Sequence, residues 1–289
     1  MKQIRIFAAA AAAMLCSTAA LSVSAEDDET MTFRVDADKT AFQVSELEGA
    51  DAVAKGAVYI DNYTGLTSLR LILKSDSPLV VENGGFTVDP EKKDKDGNPV
   101  HLLFAEHDQA EYMQYSEITG ASNVVLWYAK DYIHDKTAAV SDAKSSFVNF
   151  DIRIPKGTKP GDYKCYISTE VLKNEVGQKE EDFFAYGGAD QLILDKTVKV
   201  APVDIAVFLL GDTNLDGNVD IEDAQLTLKA YTDGIAGKAS TLTYAQTKSA
   251  DVTENNEVGV DDAQYILKYY TEKYVAAKDT TWEKLLGKK

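Results

Sequence analysis

The sequence predicts a multidomain chain: an all-β sandwich followed by a small all-α domain. Three observations carry that reading. From residue 32 to about 203 the chain runs in short β-branched and aromatic segments, many alternating with period two, separated by turn chemistry. After Ala201-Pro202-Val203 the apolar period becomes helical, between loops rich in Asp and Asn. Within that tail a block beginning at Asp212 recurs at Asp251, displaced by 39 positions without a gap.

Taken in order, the chain opens on Lys2 and Arg5, an alanine-rich apolar run over 6–21 and the small residues Val23-Ser24-Ala25, the pattern of a cleaved secretory signal peptide. The run is too short to span a bilayer as a helix, so cleavage after Ala25 and a secreted, extracellular protein are expected. Segments 32–36, 52–61, 67–74, 79–81, 100–105, 123–128, 146–154, 162–172 and 192–200 read as strands. Asn62-Tyr63-Thr64-Gly65, Glu82-Asn83-Gly84-Gly85, Asp94-Lys95-Asp96-Gly97-Asn98-Pro99 and Pro155-Lys156-Gly157-Thr158-Lys159-Pro160-Gly161 read as the turns between them, because their residues supply positive or fixed φ. Many short strands with no amphipathic helix between them argue two packed β layers. Residues 133–144 fit either a helical excursion or a long loop. The expected boundaries are 1–25 for the signal peptide, 26–203 for the sandwich and 204–289 for the helical domain.

Composition removes several function classes. The 289 residues carry 30 Lys+Arg against 47 Asp+Glu, a formal charge of −17. Removing Lys2 and Arg5 leaves 28 basic residues against the same 47, or −19. Counterion release cannot drive such a chain onto nucleic acid, and an anionic membrane repels it. Cys16 lies in the signal run, so the mature chain holds one thiol, Cys165, in the alternating segment Tyr163-Lys164-Cys165-Tyr166-Ile167. That thiol reads as a small buried hydrophobe.

The strongest chemical signal is a twelve-residue loop of spaced oxygens. Asp212, Asn214, Asp216, Asp220 and Asp223 occupy positions one, three, five, nine and twelve, Gly217 occupies the sixth, and Asn218 at the seventh offers its carbonyl. Ca²⁺ takes six to eight hard oxygen ligands, and this spacing wraps a chain around one ion, as in an EF-hand with Asp in place of the terminal Glu. The second copy keeps Asp251, Thr253, Asn255 and Asp262 at positions one, three, five and twelve, with Glu257 contributing its carbonyl. Asn256 replaces the glycine there and Gly259 stands at position nine, so this loop should bind Ca²⁺ more weakly. Ala224, Leu228 and Tyr231 in one helix, and Ala263, Leu267 and Tyr270 in the other, are spaced as apolar stripes that can face each other. Val219 and Val258, both at position eight, are placed to pair the loops as a short bridge.

The repeat resembles the dockerin module of cellulosomes, over 211 to about 274. The resemblance implies Ca²⁺ as cofactor and a cohesin of a larger scaffoldin as partner. In dockerins, loop positions ten and eleven and exposed residues of the helix that follows read the partner. Here these are Ile221, Glu222, Leu228 and Lys229 in the first copy, and Val260, Asp261, Leu267 and Lys268 in the second. The departures are the altered second loop and an insertion over about 233–248. The β part resembles a cohesin, the receptor for dockerins. Ala57-Val58-Tyr59-Ile60-Asp61-Asn62 and Gly65-Leu66-Thr67-Ser68-Leu69-Arg70-Leu71 look like the opening strands of that jelly roll. Val124-Val125-Leu126-Trp127-Tyr128-Ala129, Phe147-Val148-Asn149-Phe150-Asp151-Ile152-Arg153-Ile154 and Pro160-Gly161-Asp162-Tyr163 look like its later ones. A cohesin joined to a dockerin resembles the adaptor scaffoldins, which plug into a larger scaffold and recruit dockerin-bearing proteins without doing chemistry. The resemblance places strands 67–74 and 123–128 in the recruiting face.

Two alternatives stand beside this: a dockerin-bearing carbohydrate-active enzyme, and a carbohydrate-binding module. A glycosidase needs two converging carboxylates; Glu106 with Asp108, and Asp131 with Asp135, are pairs that a solvated surface also explains. His101, His107 and His134 lack the short ligand spacing of a metal site. Asp94, Asp96 and Asn98 begin like a calcium loop without a twelfth ligand, and read as a hairpin tip. A sugar-stacking platform would draw on Tyr112, Tyr115, Trp127, Tyr128 and Tyr132.

Overall fold

Alternation of apolar and polar residues builds the β part strand by strand in the computed structural model, which describes residues 30–93, 97, 99–103, 112–129, 143–173, 177–187, 192–193 and 198–287. The strands are β1 (Met31–Ala37), β2 (Ala41–Gln43), β3 (Ala52–Asp61), β4 (Ser68–Ser75), β5 (Val80–Phe86), β6 (Val88–Lys93), β7 (Pro99–His101), β8 (Tyr112–Ile118) and β9 (Asn123–Ala129). They continue as β10 (Val148–Ile154), β11 (Gly161–Ile167), β12 (Val171–Lys173), β13 (Lys179–Glu181), β14 (Phe184–Tyr186), β15 (Leu192–Ile193), β16 (Val198–Ala201) and β17 (Val203–Phe208). The helices are α1 (Ile221–Ile235), α2 (Tyr244–Ala250), α3 (Val260–Tyr270) and α4 (Trp282–Leu286).

Among the described residues the main sheet runs β16-β1-β3-β10-β5-β8-β9-β4-β11-β17-β2, with β14 and β15 branching from β4. The expected two layers are therefore one sheet that curls over, its halves joined at the single ladder pair Gly84 with Ile118. Most neighbours are antiparallel; β1 with β16 and β17 with β2 are parallel. Inward side chains of both halves form one core: Val58 and Ile60 on β3, Leu69, Leu71 and Leu73 on β4, Trp127 on β9, and Phe150 and Ile152 on β10. Phe150 is seated by two glycines. It stands opposite Gly56 in the ladder, and a Cβ on Gly56 would lie 2.3 Å from its ring, while one on Gly84 would lie 2.6 Å from its Cβ. Gly84 and Gly85 are thus strand residues inside β5, where a bulge opposite Asn149 and Asp151 lets two backbones approach. The turn expected at 82–85 is corrected accordingly.

The expected strand at 52–61 coincides with β3, and 67–74 and 123–128 lie within one residue of β4 and β9. Segment 162–172 divides into β11 and β12, and 192–200 into β15 and β16. Positions 94–96, 98, 104–111, 130–142 and the signal segment lie outside the described residues, and with them the expectations for Glu106, His107, Asp108, Asp131, Tyr132, His134 and Asp135. Cys165 is buried, and burial pushes its thiol up to about 12, as suits a small hydrophobe. His101 packs its ring against Phe86 and Phe147 and is held down to about 4 by burial, a core side chain with no metal geometry around it among the described residues.

The boundary expected at 203/204 is displaced. β17 hydrogen-bonds along β11 from Gly161↔Val207 to Cys165↔Val203 and joins β2 on its other side, so 204–208 belong to the sheet. The sequence break at Pro202 marks only the corner between β16 and β17.

Candidate metal loops and docking faces

The tail begins where β17 ends. In the first loop, Asp212 and Asp223 are fully buried and act as two-pronged acceptors. The Asp212 carboxylate accepts the amides of Asp216 and Gly217 at 3.0 and 2.9 Å, and Asp223 accepts those of Asn214 and Asp220 at 2.9 and 2.8 Å. Asp216 accepts the Asn218 amide, and Asp220 caps α1 by accepting from Glu222. The second loop repeats this network at the 39-residue displacement. Asp251 accepts the amides of Asn255 and Asn256 at 3.0 and 2.8 Å, Asp262 those of Thr253 and Gly259 at 3.0 and 2.8 Å, and Asn255 that of Glu257. The backbone repeats as well. Positions four and six are left-handed in both copies, with φ of 62° and 92° at Leu215 and Gly217, and 58° and 66° at Glu254 and Asn256. Asn256 therefore replaces the loop glycine without changing the turn.

These residues suit a divalent cation. The loops gather carboxylate, amide, hydroxyl and carbonyl oxygens alone, which is hard-cation chemistry. The tail's ion pairs join Lys229 and Lys238 to Asp233, Lys278 to Glu272 and Lys284 to Asp279, and none of these involves Asp212, Asp216, Asp220, Asp223, Asp251 or Asp262. No ready-made cluster of three His, Cys, Asp or Glu side chains exists among the described residues; the carboxylates are turned onto loop amides. Burial, with the charges of Asp223 and Asp216, raises the Asp212 carboxyl to about 6 against the pull of the Gly217 and Asp216 amides. Burial likewise raises Asp223 and Asp262.

A carboxyl raised on folding holds its proton more tightly in the folded tail between its ordinary 3.8 and about 6. Without a cation, that contribution is present at the acid end and is lost as pH rises through the window. A bound cation displaces the proton and reverses the trend. Thermal melts at pH 5 and pH 7 should therefore rank acid above neutral in chelator, and neutral above acid in excess Ca²⁺.

The two helices bury the expected Ala224 and Ala263, but the rest of the buried stripe lies one position before the expected one. Ala224 and Thr227 on α1, and Ala263, Ile266 and Tyr269 on α3, are buried, while Leu228 and Leu267 are 43% exposed. Thr227 fits because its hydroxyl meets that of Thr213 at 2.8 Å inside the core. Val219 is buried and Val258 half-buried, with no ladder pair between them among the described residues. The outward stripe is Ile221, Leu228 and Ile235 on α1, matched 39 residues on by Val260, Leu267 and Tyr274, all exposed. Glu222, Lys229, Asp261 and Lys268 are exposed beside it. Ile235 and Tyr274 extend the set that sequence reasoning singled out; their heptad spacing was the available signal.

The ends of the tail meet over its core. Trp282 on α4 stacks on Tyr269 at 4.2 Å with an interplanar angle of 6°, and a Cβ on Gly211 would lie 2.5 Å from the Trp282 ring. Trp282→Ala removes this half-buried cover and should destabilise the tail by about 2 kcal/mol, below the 3–5 of a fully buried aromatic. The tail transition in calorimetry checks it.

On the β part, the two outward faces differ in chemistry. Across β16-β1-β3-β10-β5 the charges are locally paired: Arg34 with Asp61 and Asp36, Lys55 with Asp151, and Arg153 with Glu82 and Asp51. Across β8-β9-β4-β14 the outward positions are apolar at the centre. The register sets Leu126 beside Arg70 and Tyr115, Val124 beside Ile72 and Glu117, and Tyr128 beside Ser68. Tyr115, Tyr128 and Tyr186 are exposed, and Ile72, Val124 and Leu126 half-buried. Charge borders this row in closed pairs, Arg70, directly beside Leu126, with Glu180, and Lys74 with Glu170 and Asp182. Of the expected stacking aromatics, Trp127 is a core residue at 1% exposure, so the platform loses its largest ring.

No family model matches the sequence, and no curated protein matches it. Among solved structures, similarity is found to a cohesin of R. flavefaciens in complex with a group 1 dockerin, at 10% identity over 62% of this chain and 95% of that one, with a TM-score of 0.36. A type II cohesin domain from the cellulosome of Acetivibrio cellulolyticus is similar at 12% identity over 61% and 95%, with a TM-score of 0.36. A non-cellulosomal cohesin from the archaeon Archaeoglobus fulgidus is similar at 12% identity over 62% and 91%, with a TM-score of 0.34.

Proposed function

We propose that this chain is a secreted, non-catalytic adaptor of a cellulosome-type assembly. Its tail, from about residue 209, binds Ca²⁺ in both loops and docks as a dockerin into a cohesin of a larger scaffoldin. Its β domain acts as a cohesin and recruits dockerin-bearing proteins for plant polysaccharide degradation.

One observation carries this reading: the 39-residue pseudo-symmetry of the tail, in which two equal carboxylate–amide loops hold two helices that present matching exposed rows. A helical pair satisfied by its own packing would have no reason to leave Ile221, Leu228 and Ile235, and their counterparts, in water. A partner helix-binding face with an apolar centre and charged rim explains both the row and its flanking Glu222, Lys229, Asp261 and Lys268. At the side-chain ligand positions the first loop offers four carboxylates (Asp212, Asp216, Asp220, Asp223) and the second two (Asp251, Asp262), so calcium fills the first loop at lower concentration.

The test is capture of scaffoldin cohesins by the full chain in Ca²⁺ and in chelator. Leu228→Asp combined with Leu267→Asp should weaken capture by at least about 30-fold, the worth of one central hot spot. Capture that ignores both chelator and the double substitution overturns the docking assignment. Hydrolysis of, or retention on, plant polysaccharide by the β domain would replace the recruiting role with the enzyme or the sugar-binding module.

A further inference from the structure

The insertion at 233–248 that sets this tail apart from the plain repeat has a position of its own in the fold. It supplies the end of α1, a connecting loop and α2, and α2 lies against β17 and β11 of the sheet. Three contacts fix it there. The amide of Ala245, in the first turn of α2, donates to Asp162 Oδ1 on β11 at 2.8 Å, so a sheet residue helps to cap the helix. Tyr244 and Thr40 share a hydroxyl–hydroxyl bond of 2.8 Å. At the other end, the Gly211 amide donates to the Ser249 carbonyl at 2.8 Å, tying the exit of β17 to α2. The apolar contacts agree. Ala245, Ser249 and Ala250 are fully buried, and Phe208 of β17 belongs to the tail's own core, with Ala41 of β2 packed against it.

The helix ends where the second loop begins. Asp251 is both the C-cap of α2 and the first residue of that loop, whose carboxylate holds the Asn255 and Asn256 amides. We infer that α2 is a bracket that couples the tail to the β domain, through which cation occupancy of the second loop sets the stability of the sheet edge at β11 and β17. This rests on the calcium reading above. Whatever orders Asp251 orders the C-terminal end of α2, and α2 is held at its N-terminal end by Asp162, so the free energy of loading is shared with the edge strands. The two docking faces are thereby carried in one fixed relation rather than on a free linker.

The test is calorimetry of the full chain with and without Ca²⁺, together with direct measurement of Ca²⁺ uptake. In the native chain, Ca²⁺ should raise the unfolding temperature of the β domain by at least about 3 °C. Asp162→Ala should keep Ca²⁺ uptake and lose at least half of that rise. Asp162→Asn, which retains an acceptor oxygen for the Ala245 amide, should restore it. Tyr244→Phe, which removes only the hydroxyl facing Thr40, should also reduce it. Uptake of Ca²⁺ with no shift in the β transition, or a shift that Asp162→Ala leaves intact, overturns the bracket alone. Absence of any Ca²⁺ uptake overturns the calcium reading and the bracket with it.

Discussion

Asp212→Ala combined with Asp223→Ala is expected to abolish the ordered tail and every calcium-dependent capture that depends on it. Each carboxylate is fully buried and accepts two loop amides, so the pair removes four hydrogen bonds, and only the Asp216 amide keeps another acceptor, Asn214 Oδ1. A hydrogen bond to a charged group is worth about 1.5–3 kcal/mol, and losing two buried carboxylates with their four bonds removes most of what can stabilise a small helical pair. Two of the first loop's four carboxylates go as well, so added Ca²⁺ cannot rescue the fold. Asp212→Asn with Asp223→Asn separates the two roles. The amide oxygens can still hold part of the network, but two negative charges are lost, so this variant should keep residual helix in far-UV circular dichroism and show on adding Ca²⁺ only the smaller gain that the intact second loop supplies. A calcium-induced gain in the Asn variant equal to that of the native chain would falsify the assignment of this loop as the cation site.

How much of this was legible in the sequence depends on how local each signal is. The loops were legible because a turn network written in one twelve-residue run needs no knowledge of the fold. Left-handed φ at Asn256 follows from the same local reasoning, since Asn tolerates that region. β3 was legible to the residue because its alternation stops at Asn62, which has φ of 53°. The strands β6 and β13 were not, because Val-Asp-Pro-Glu-Lys-Lys and Lys-Glu-Glu are largely exposed and carry no apolar period. Among the described residues each pairs only with its sequence neighbour, β6 with β7 and β13 with β12, in two-stranded hairpins outside the main sheet, so backbone pairing alone marks them as strands. The helix stripes were misread by one position for a related reason. Leu228 counts as core on hydropathy, yet its place is taken by Thr227, which tertiary structure satisfies through Thr213. The role of α2 was out of reach altogether. Nothing in Tyr-Ala-Gln-Thr-Lys-Ser-Ala announces a sheet edge, and its hydrogen bond to the sheet is made 83 residues upstream at Asp162.

Leu126→Asp on the β domain is expected to remove recruitment of dockerin-bearing proteins while leaving the β domain folded. Leu126 alternates with buried Val125 and Trp127 on β9, so its side chain stands on the outward face, beside Arg70 on β4 and Tyr115 on β8. An interface of ordinary size concentrates its energy in a few central apolar side chains ringed by polar ones. Leu126, with Val124, Ile72 and the exposed Tyr115 and Tyr128, has that arrangement, and the ion pairs of Arg70 and Lys74 supply the ring. A carboxylate at the centre must be desolvated without a partner, which at a hot-spot position costs binding about 2 kcal/mol or more, a loss of at least about 30-fold. In the free protein the same carboxylate remains in water, so the melting temperature of the β domain should move little. Tyr59→Ala on the opposite face is the control. Tyr59 sits under Arg34, 4.8 Å from its ring centroid, amid the closed ion pairs of that sheet half, and its loss should leave recruitment unchanged. Surface plasmon resonance against immobilised dockerins reads both variants, and recruitment lost with Tyr59→Ala but kept with Leu126→Asp would move the recruiting face to the other side of the sheet.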